Sequence, residues 1–242
     1  MGSYGMAVSG TDIGEIHDAE TWDVLDEAWN SWGTLDSDVI AHLLNPAFVG
    51  GPTWPALRQA HVIARRQDAV LVASSGLADP TCWNTGEYTN GYELEVFGIA
   101  PDVPADSNPM TVATSWLGQM VMTVSNLVAQ HGFEVLEMVE EFGVITIELS
   151  NARLPDEGGD VFVDENGSMV VMLGLMDREI PGFVNAPLAP VRLINVKLLT
   201  AAEAHFCVHN SMGEERARRE IARRFAIQGS VLWSSLGRPS VV

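Results

Sequence analysis

Trp22, Leu25, Ala28, Trp29 and Trp32 recur at intervals of three and four residues. That spacing predicts an amphipathic helix over residues 19–32, with Gly33 as a natural stop. Three tryptophans on one stripe read as core and helix-packing residues rather than as a ligand cage. A shorter helix is expected over residues 37–44, ended by Asn45-Pro46, because the residue before a proline is pushed out of the helical region. After a turn-rich link, Gly50-Gly51-Pro52-Thr53-Trp54-Pro55, residues 61–66 and 69–74 can pair as a hairpin around Gln67-Asp68. Val70, Leu71 and Val72 form an unbroken apolar run, as expected of a strand buried on both faces. Residues 76–90 read as a long polar connection. From residue 92 to 97 the chain alternates, with Tyr92, Leu94 and Val96 on one side and Glu93 and Glu95 on the other. This predicts a half-exposed strand with an acidic outer face.

Residues 101–109 read as a loop. Thr114 or Ser115 can cap a helix running to about His131, with Gly132 just past its end. Strands are expected over 144–149, 161–163, 169–175 and 191–199, with Asp164-Glu165-Asn166-Gly167 as a hairpin turn. The proline-rich residues 181–190 read as a surface loop. Thr200 with Glu203, and Ser211 with Glu214, have capping-box spacing for two closing helices. The second of these, at about 212–228, is basic and is stopped by Gly229. With the N-terminal helical segment at about 19–44, and with no internal repeat or long linker, the chain is expected to form one α+β domain. Its sheet should be mixed, mostly antiparallel and flanked by helices.

Charge changes this picture more than composition does. The 242 residues are 47% hydrophobic, enough for a sizeable core. No apolar run approaches the roughly 20 residues that span a bilayer. Residues 1–11 lack the basic and apolar regions of a signal peptide. Two cysteines, Cys82 and Cys207, are too few for a disulfide framework, so a cytoplasmic location is expected. The net charge is −19, unevenly spread: residues 1–210 carry 29 acidic and 7 basic side chains, residues 211–242 carry 3 and 6. Such a body repels nucleic acid and anionic membranes, whose phosphates need clustered Lys or Arg. It would steer a basic protein partner. The plainer alternative is that the charge only maintains solubility.

Catalytic signatures are missing. There is no G-x-S-x-G, and no helix pattern follows Ser74 and Ser75. Neither G-x-G-x-x-G nor the phosphate-binding G-x-x-x-x-G-K-[ST] occurs. The single lysine, Lys197, falls within an expected strand. His205, Cys207 and His209 are a weak metal candidate, because on a helix only the two histidines share a face and zinc usually takes three or four protein ligands. No metal and no cofactor is therefore expected. Adjacent carboxylates such as Glu93 and Glu95, Glu140 and Glu141, or Asp156 and Glu157 are common by chance in a chain with 32 acidic residues. Arg216, Arg218, Arg219, Arg223 and Arg224 wrap around their helix and read as a solvated surface that pairs with the acidic body.

One segment carries a resemblance. Ser74-Ser75-Gly76-Leu77-Ala78-Asp79-Pro80, followed by Gly91-Tyr92-Glu93-Leu94-Glu95, resembles the bacterial suppressor-of-fused-like domain. That family typically has a strand ending in Thr-x-Gly-Leu-Ser-Asp-Pro, a polar loop, then Gly, an aromatic residue and Glu-Leu. Gly76, Leu77, Asp79 and Pro80 match, while Ser74 stands for the Thr and Ala78 for the Ser. Gly51-Pro52 with Trp54-Pro55, Arg58-Gln59-Ala60, and Leu199-Thr200 with Glu203 fit the family's order, so the likeness spans roughly residues 45–210. The resemblance implies a protein-binding role: its eukaryotic relative restrains a transcription factor, and bacterial members are proposed immunity proteins against secreted toxins. Physically, Gly76 permits a positive φ, Asp79 can accept amide hydrogen bonds in the turn, and Pro80 fixes the exit. The expected binding residues are Asp79, Trp83, Tyr88, Glu93 and Glu95. The competing expectation is an enzyme or small-ligand protein with its site at the 76–90 loop.

Overall fold

The computed structural model describes residues 10–41, 48, 50–56, 58–83, 86–150, 154–155, 159–164 and 167–242, with backbone alone for 10–15. Helix α1 (Gly10–Trp32) begins earlier than its tryptophan stripe and ends where expected. At Gly33 an added Cβ would lie 2.7 Å from the Arg65 carbonyl, so the chain needs glycine to pass there. The helix expected over 37–44 is not formed in its described part. Strands β1 (Thr34–Leu35) and β2 (Ile40–Ala41) both pair antiparallel with β3 (Ala60–Arg65) instead. Pairing with an open sheet edge overrides weak helical propensity in so short a segment. Residues 42–47, including Asn45-Pro46, lie outside the described residues.

The expected hairpin is present. β3 runs antiparallel to β4 (Val70–Ser75), and Arg66 N donates to Ala69 O across the turn. Within the polar connection, β5 (Thr81–Cys82) and β6 (Tyr88–Thr89) form a separate small ribbon. β7 (Leu94–Ala100) then returns beside β4. Helix α2 (Pro109–Thr114), unexpected and too short to show a period, has Asn108 as cap and Pro109 in its first turn. Ser115 caps α3 (Trp116–His131), and Gly132 separates it from α4 (Phe133–Phe142).

β8 (Ile145–Leu149) follows. The strand expected at 161–163 is instead a 3-10 turn over Gly159–Phe162, with Val163 alone bridging to Met169. Of the Asp164–Gly167 turn, Glu165 and Asn166 lie outside the described residues; Gly167 N donates to Asp164 O. β9 (Met169–Leu173), β10 (Phe183–Asn185), β11 (Pro190–Leu198), α5 (Ala201–His209) and α6 (Glu214–Gln228) complete the order. The Thr200–Glu203 capping box forms, but that of Ser211 and Glu214 does not: α6 starts behind Gly213, with no side-chain cap.

The fold is α+β. The large mixed sheet runs β1-β3-β4-β7-β11-β9-β8, with β2 also on β3 and β10 on β11; β7 and β11 are its parallel pair. Alternate residues of its central strands serve two cores. Val70, Val72, Leu94 and Val96 pack with Leu117, Met120, Val121 and Val124 of α3. Leu71, Ala73, Phe97 and Ile99 pack with Trp29 and Trp32 of α1 and with Ile221 and Phe225 of α6. Covered on both faces, β7 has no acidic outer face: every residue from Leu94 to Ala100 is buried, and Glu95 is 0% exposed. The alternation there marks a buried carboxylate with partners rather than one facing solvent. Among the described residues, no helix is long and apolar enough to cross a membrane.

Candidate functional site

The matching motif forms a tight turn built around Glu95. Its Oε1 accepts from the amides of Gly76 at 2.9 Å and Ala78 at 3.0 Å, and Oε2 accepts from the Ser74 hydroxyl. Ser74 Oγ in turn accepts from Val96 N at 2.9 Å. Burial pushes the Glu95 carboxyl up to about 7, against the pull of these donors; nearby Asp79 adds to the rise. Glycine is required at the centre. Gly76 has φ 134°, and a Cβ would lie 2.5 Å from the Arg58 carbonyl. A Cβ on Gly91 would lie 2.2 Å from the Leu77 carbonyl, which also accepts from Tyr92 N.

Asp79 ties this turn to α1. Only 2% exposed, it accepts from the Trp22 indole at 2.9 Å, and Arg58 stacks over the same indole at 4.4 Å. Burial raises its carboxyl, offset in part by the Trp22 hydrogen bond and Arg58. Arg58 also donates to Ser75 Oγ at 2.5 Å. Asn90, fully buried and not anticipated, joins three segments. Its amide nitrogen donates to Thr21 Oγ1 and Ala78 O, and its oxygen accepts from Leu188 N and Ala189 N. Glu95, not Asp79, accepts the amides of the turn; Asp79 instead ties the turn to α1 through Trp22, and both carboxylates are buried.

The other three expected residues face outward. Trp83 is half-buried and donates its indole to Thr89 Oγ1 at 2.7 Å; Tyr88 is exposed opposite Cys82 in the ribbon. Trp83 contacts Tyr92 and Phe133, with ring centroids 5.4 and 5.9 Å away, and Tyr92 and Phe133 meet edge to face at 5.6 Å. These rings touch each other, so they form a packed cluster and not an open cage. Glu93 is half-buried beside them, at φ 58°. Burial and the neighbouring Glu140 both raise its carboxyl. Phe133, Leu136 and Glu140 lie on one face of α4 at helical spacing, so the aromatic cluster runs directly into this acidic edge. Glu134, 3.5 Å from His131 Nδ1, Glu137 and Glu141 extend it. Among the described residues, Glu93, Glu137, Glu140 and Glu141 have no cation partner. α4 was not anticipated, although Val135, Leu136 and Val139 have helical spacing; that its acidic side meets Glu93 depends on the tertiary fold.

The remaining candidates lie elsewhere. His205 and His209 are exposed with ring centroids 4.4 Å apart, whereas Cys207 points into the core. Among the described residues, no group of three or more metal-competent side chains is assembled. Lys197 is fully buried and donates to the carbonyls of Ser230, at 2.6 Å, and Trp233; burial lowers its ammonium to about 7. Four of the five arginines of α6 pair within their own helix, Arg218 with Glu214, Arg219 with Glu215, and Arg223 and Arg224 with Glu220, rather than with the acidic body. Three clefts of about 310 to 360 Å³ open on the surface, and none of the three takes a wall from residues 76–90.

The chain has a Suppressor of Fused-like fold, shown by its likeness to solved structures. No family model matches the chain, and no curated protein does. Among solved structures, the chain is similar to the crystal structure of the Sufu–Fu complex. The TM-score is 0.53 at 13% identity, over 90% of this chain and 89% of that chain. It is similarly related to the crystal structure of Drosophila Suppressor of Fused, with a TM-score of 0.52 at 13% identity. That match covers 90% of this chain and 50% of the Drosophila chain, so the protein spans about half the length of that relative.

Proposed function

We propose that this protein is a non-catalytic protein-binding module that engages a basic protein partner through its aromatic–acidic face. The carrying observation is the run of carboxylates at Glu93, Glu137, Glu140 and Glu141, without cation partners among the described residues and continuous with Trp83, Tyr92 and Phe133. Aromatic rings supply contact area at low entropic cost, and unpaired carboxylates supply charge complementarity. The likeness to a fold solved in the Sufu–Fu complex supports a protein partner. In this reading Trp83, Tyr88 and Glu93 touch the partner, and Asp79 and Glu95 keep the supporting turn rigid. An immunity-type role, neutralising a basic toxin in the cytoplasm, is the setting that best accommodates a net charge of −19.

The test is affinity capture from the source cells with the full chain as bait, followed by binding measurements over a range of salt. A basic protein whose affinity falls steeply with ionic strength is expected. Recovery of no protein partner, or an affinity indifferent to salt, would overturn the proposal.

A further inference from the structure

The acidic edge contains one built cleft. It encloses about 310 Å³ and is lined by Glu93, Leu136, Glu140, Phe183, Pro190 and Arg192. Glu93 is held in place by its own backbone: its amide donates to Asn90 O at 2.7 Å, and its carbonyl accepts from Arg192 N at 2.8 Å. Its carboxylate and that of Glu140 repel one another across this space, and neither has a cation partner among the described residues. Phe183, in the same lining, is 51% exposed.

Arg192 does not neutralise the pair. Its guanidinium lies beside Gly182, with Nη2 3.9 Å from Met176 Sδ, and its Nε is buried with no acceptor. A donor without an acceptor leaves hydrogen-bonding capacity unused, and two carboxylates that repel one another favour a cation between them. The cleft therefore offers a place for one cation between the carboxylates and for one acceptor on the accessible part of the Arg192 guanidinium. A basic residue within a peptide carries both, an ammonium or guanidinium on its side chain and a carbonyl on its backbone. An exposed aromatic ring adds a face on which such a cation can stack. A nucleic-acid phosphate would satisfy Arg192 but would meet the two carboxylates as a like charge.

We infer that this cleft receives one Lys or Arg side chain from a basic peptide segment of the partner, its charge between Glu93 and Glu140 and its backbone carbonyl on Arg192. This inference rests on the reading that the partner is basic, and adds where and how that partner is gripped.

Two measurements test it. In the first, the ¹⁵N-labelled full chain is titrated with acetylated, amidated tri-arginine and tri-lysine peptides, with tri-glutamine as the neutral control. The largest amide shifts are expected at Glu93, Glu140, Phe183 and Arg192, with none from tri-glutamine. Combining Glu93→Gln with Glu140→Gln should weaken peptide binding about tenfold, the equivalent of one desolvated charge contact. Arg192→Met should weaken it less and leave the response to side-chain charge intact. Thermal melts establish that each variant is folded. Shifts spread evenly over the acidic surface, or an unchanged Kd in the double variant, would overturn the cleft. The second measurement repeats the comparison with the captured partner. Unchanged, salt-sensitive binding by the double variant would overturn the cleft while the basic-partner reading stands; absence of any salt-sensitive partner would overturn both.

Discussion

Glu95 is fully buried and accepts from one hydroxyl and two backbone amides, whereas Glu93, two residues earlier, is half-exposed, faces Glu140 and has no cation partner among the described residues. The two glutamates share an alternating run, yet the positive φ at Glu93 takes it out of β7 before the strand begins. The contrast extends to their surroundings. Around Glu95, Asp79 and Asn90 are locked to α1, and Asn90 to the loop at Leu188, by hydrogen bonds. Around Glu93, half-buried aromatic rings adjoin carboxylates that have no cation partner among the described residues. A matching motif can thus mark the part of a fold that is most tightly built, while the surface open to a partner lies beside it.

The largest effect expected from breaking this contrast is Glu95→Ala. It strands three buried donors and should cost about 3–5 kcal/mol in urea unfolding. A loss below about 1 kcal/mol would show that the carboxylate does not hold the turn. Asp79→Ala leaves the Trp22 indole without its acceptor and should cost about 1–3 kcal/mol by the same measurement.

Titration sharpens the comparison further. Glu95 is raised from 4.5 to about 7, so between these values the native state holds a proton that the unfolded chain has released. The contribution is fully present below about 4.5 and is lost as the pH rises through 7. Stability of the wild type relative to Glu95→Gln should therefore fall across this window. A relative stability that rises with pH would mean that the three donors outweigh burial.

The smallest effects belong to the exposed member. Glu93→Gly removes a side chain from a left-handed backbone position and should leave stability unchanged or raise it by up to about 1 kcal/mol. A thermal melt lowered by more than a few degrees would show that the Glu93 side chain is part of the scaffold.

Locally encoded features were legible in the sequence. The β3–β4 hairpin, the Ser115 cap with Gly132 after α3, and the Thr200–Glu203 box each depend on residues close in the chain. The burial of Glu95 was not legible, because alternation on one strand cannot reveal that β4, β11 and helices on both faces enclose it. Asn90 gave no signal, since its partners lie 12 to 99 residues away. Trp83, Tyr88 and Glu93 were picked out from a polar, aromatic loop. Phe133 and Glu140 were not, because the meeting of α4 with residue 93 is set by packing across the sheet. Short elements escaped the sequence: β1 was not anticipated and β2 fell inside an expected helix, because their structure comes from pairing rather than from their own pattern.

Amide hydrogen exchange of the full chain, with and without the captured partner, tests the central claim most directly. New protection is expected at residues 83, 88–93, 133–140 and 183, with residues 74–79 already protected and unchanged. Protection concentrated on another surface, with the Glu93–Glu140 edge unaffected, would contradict it.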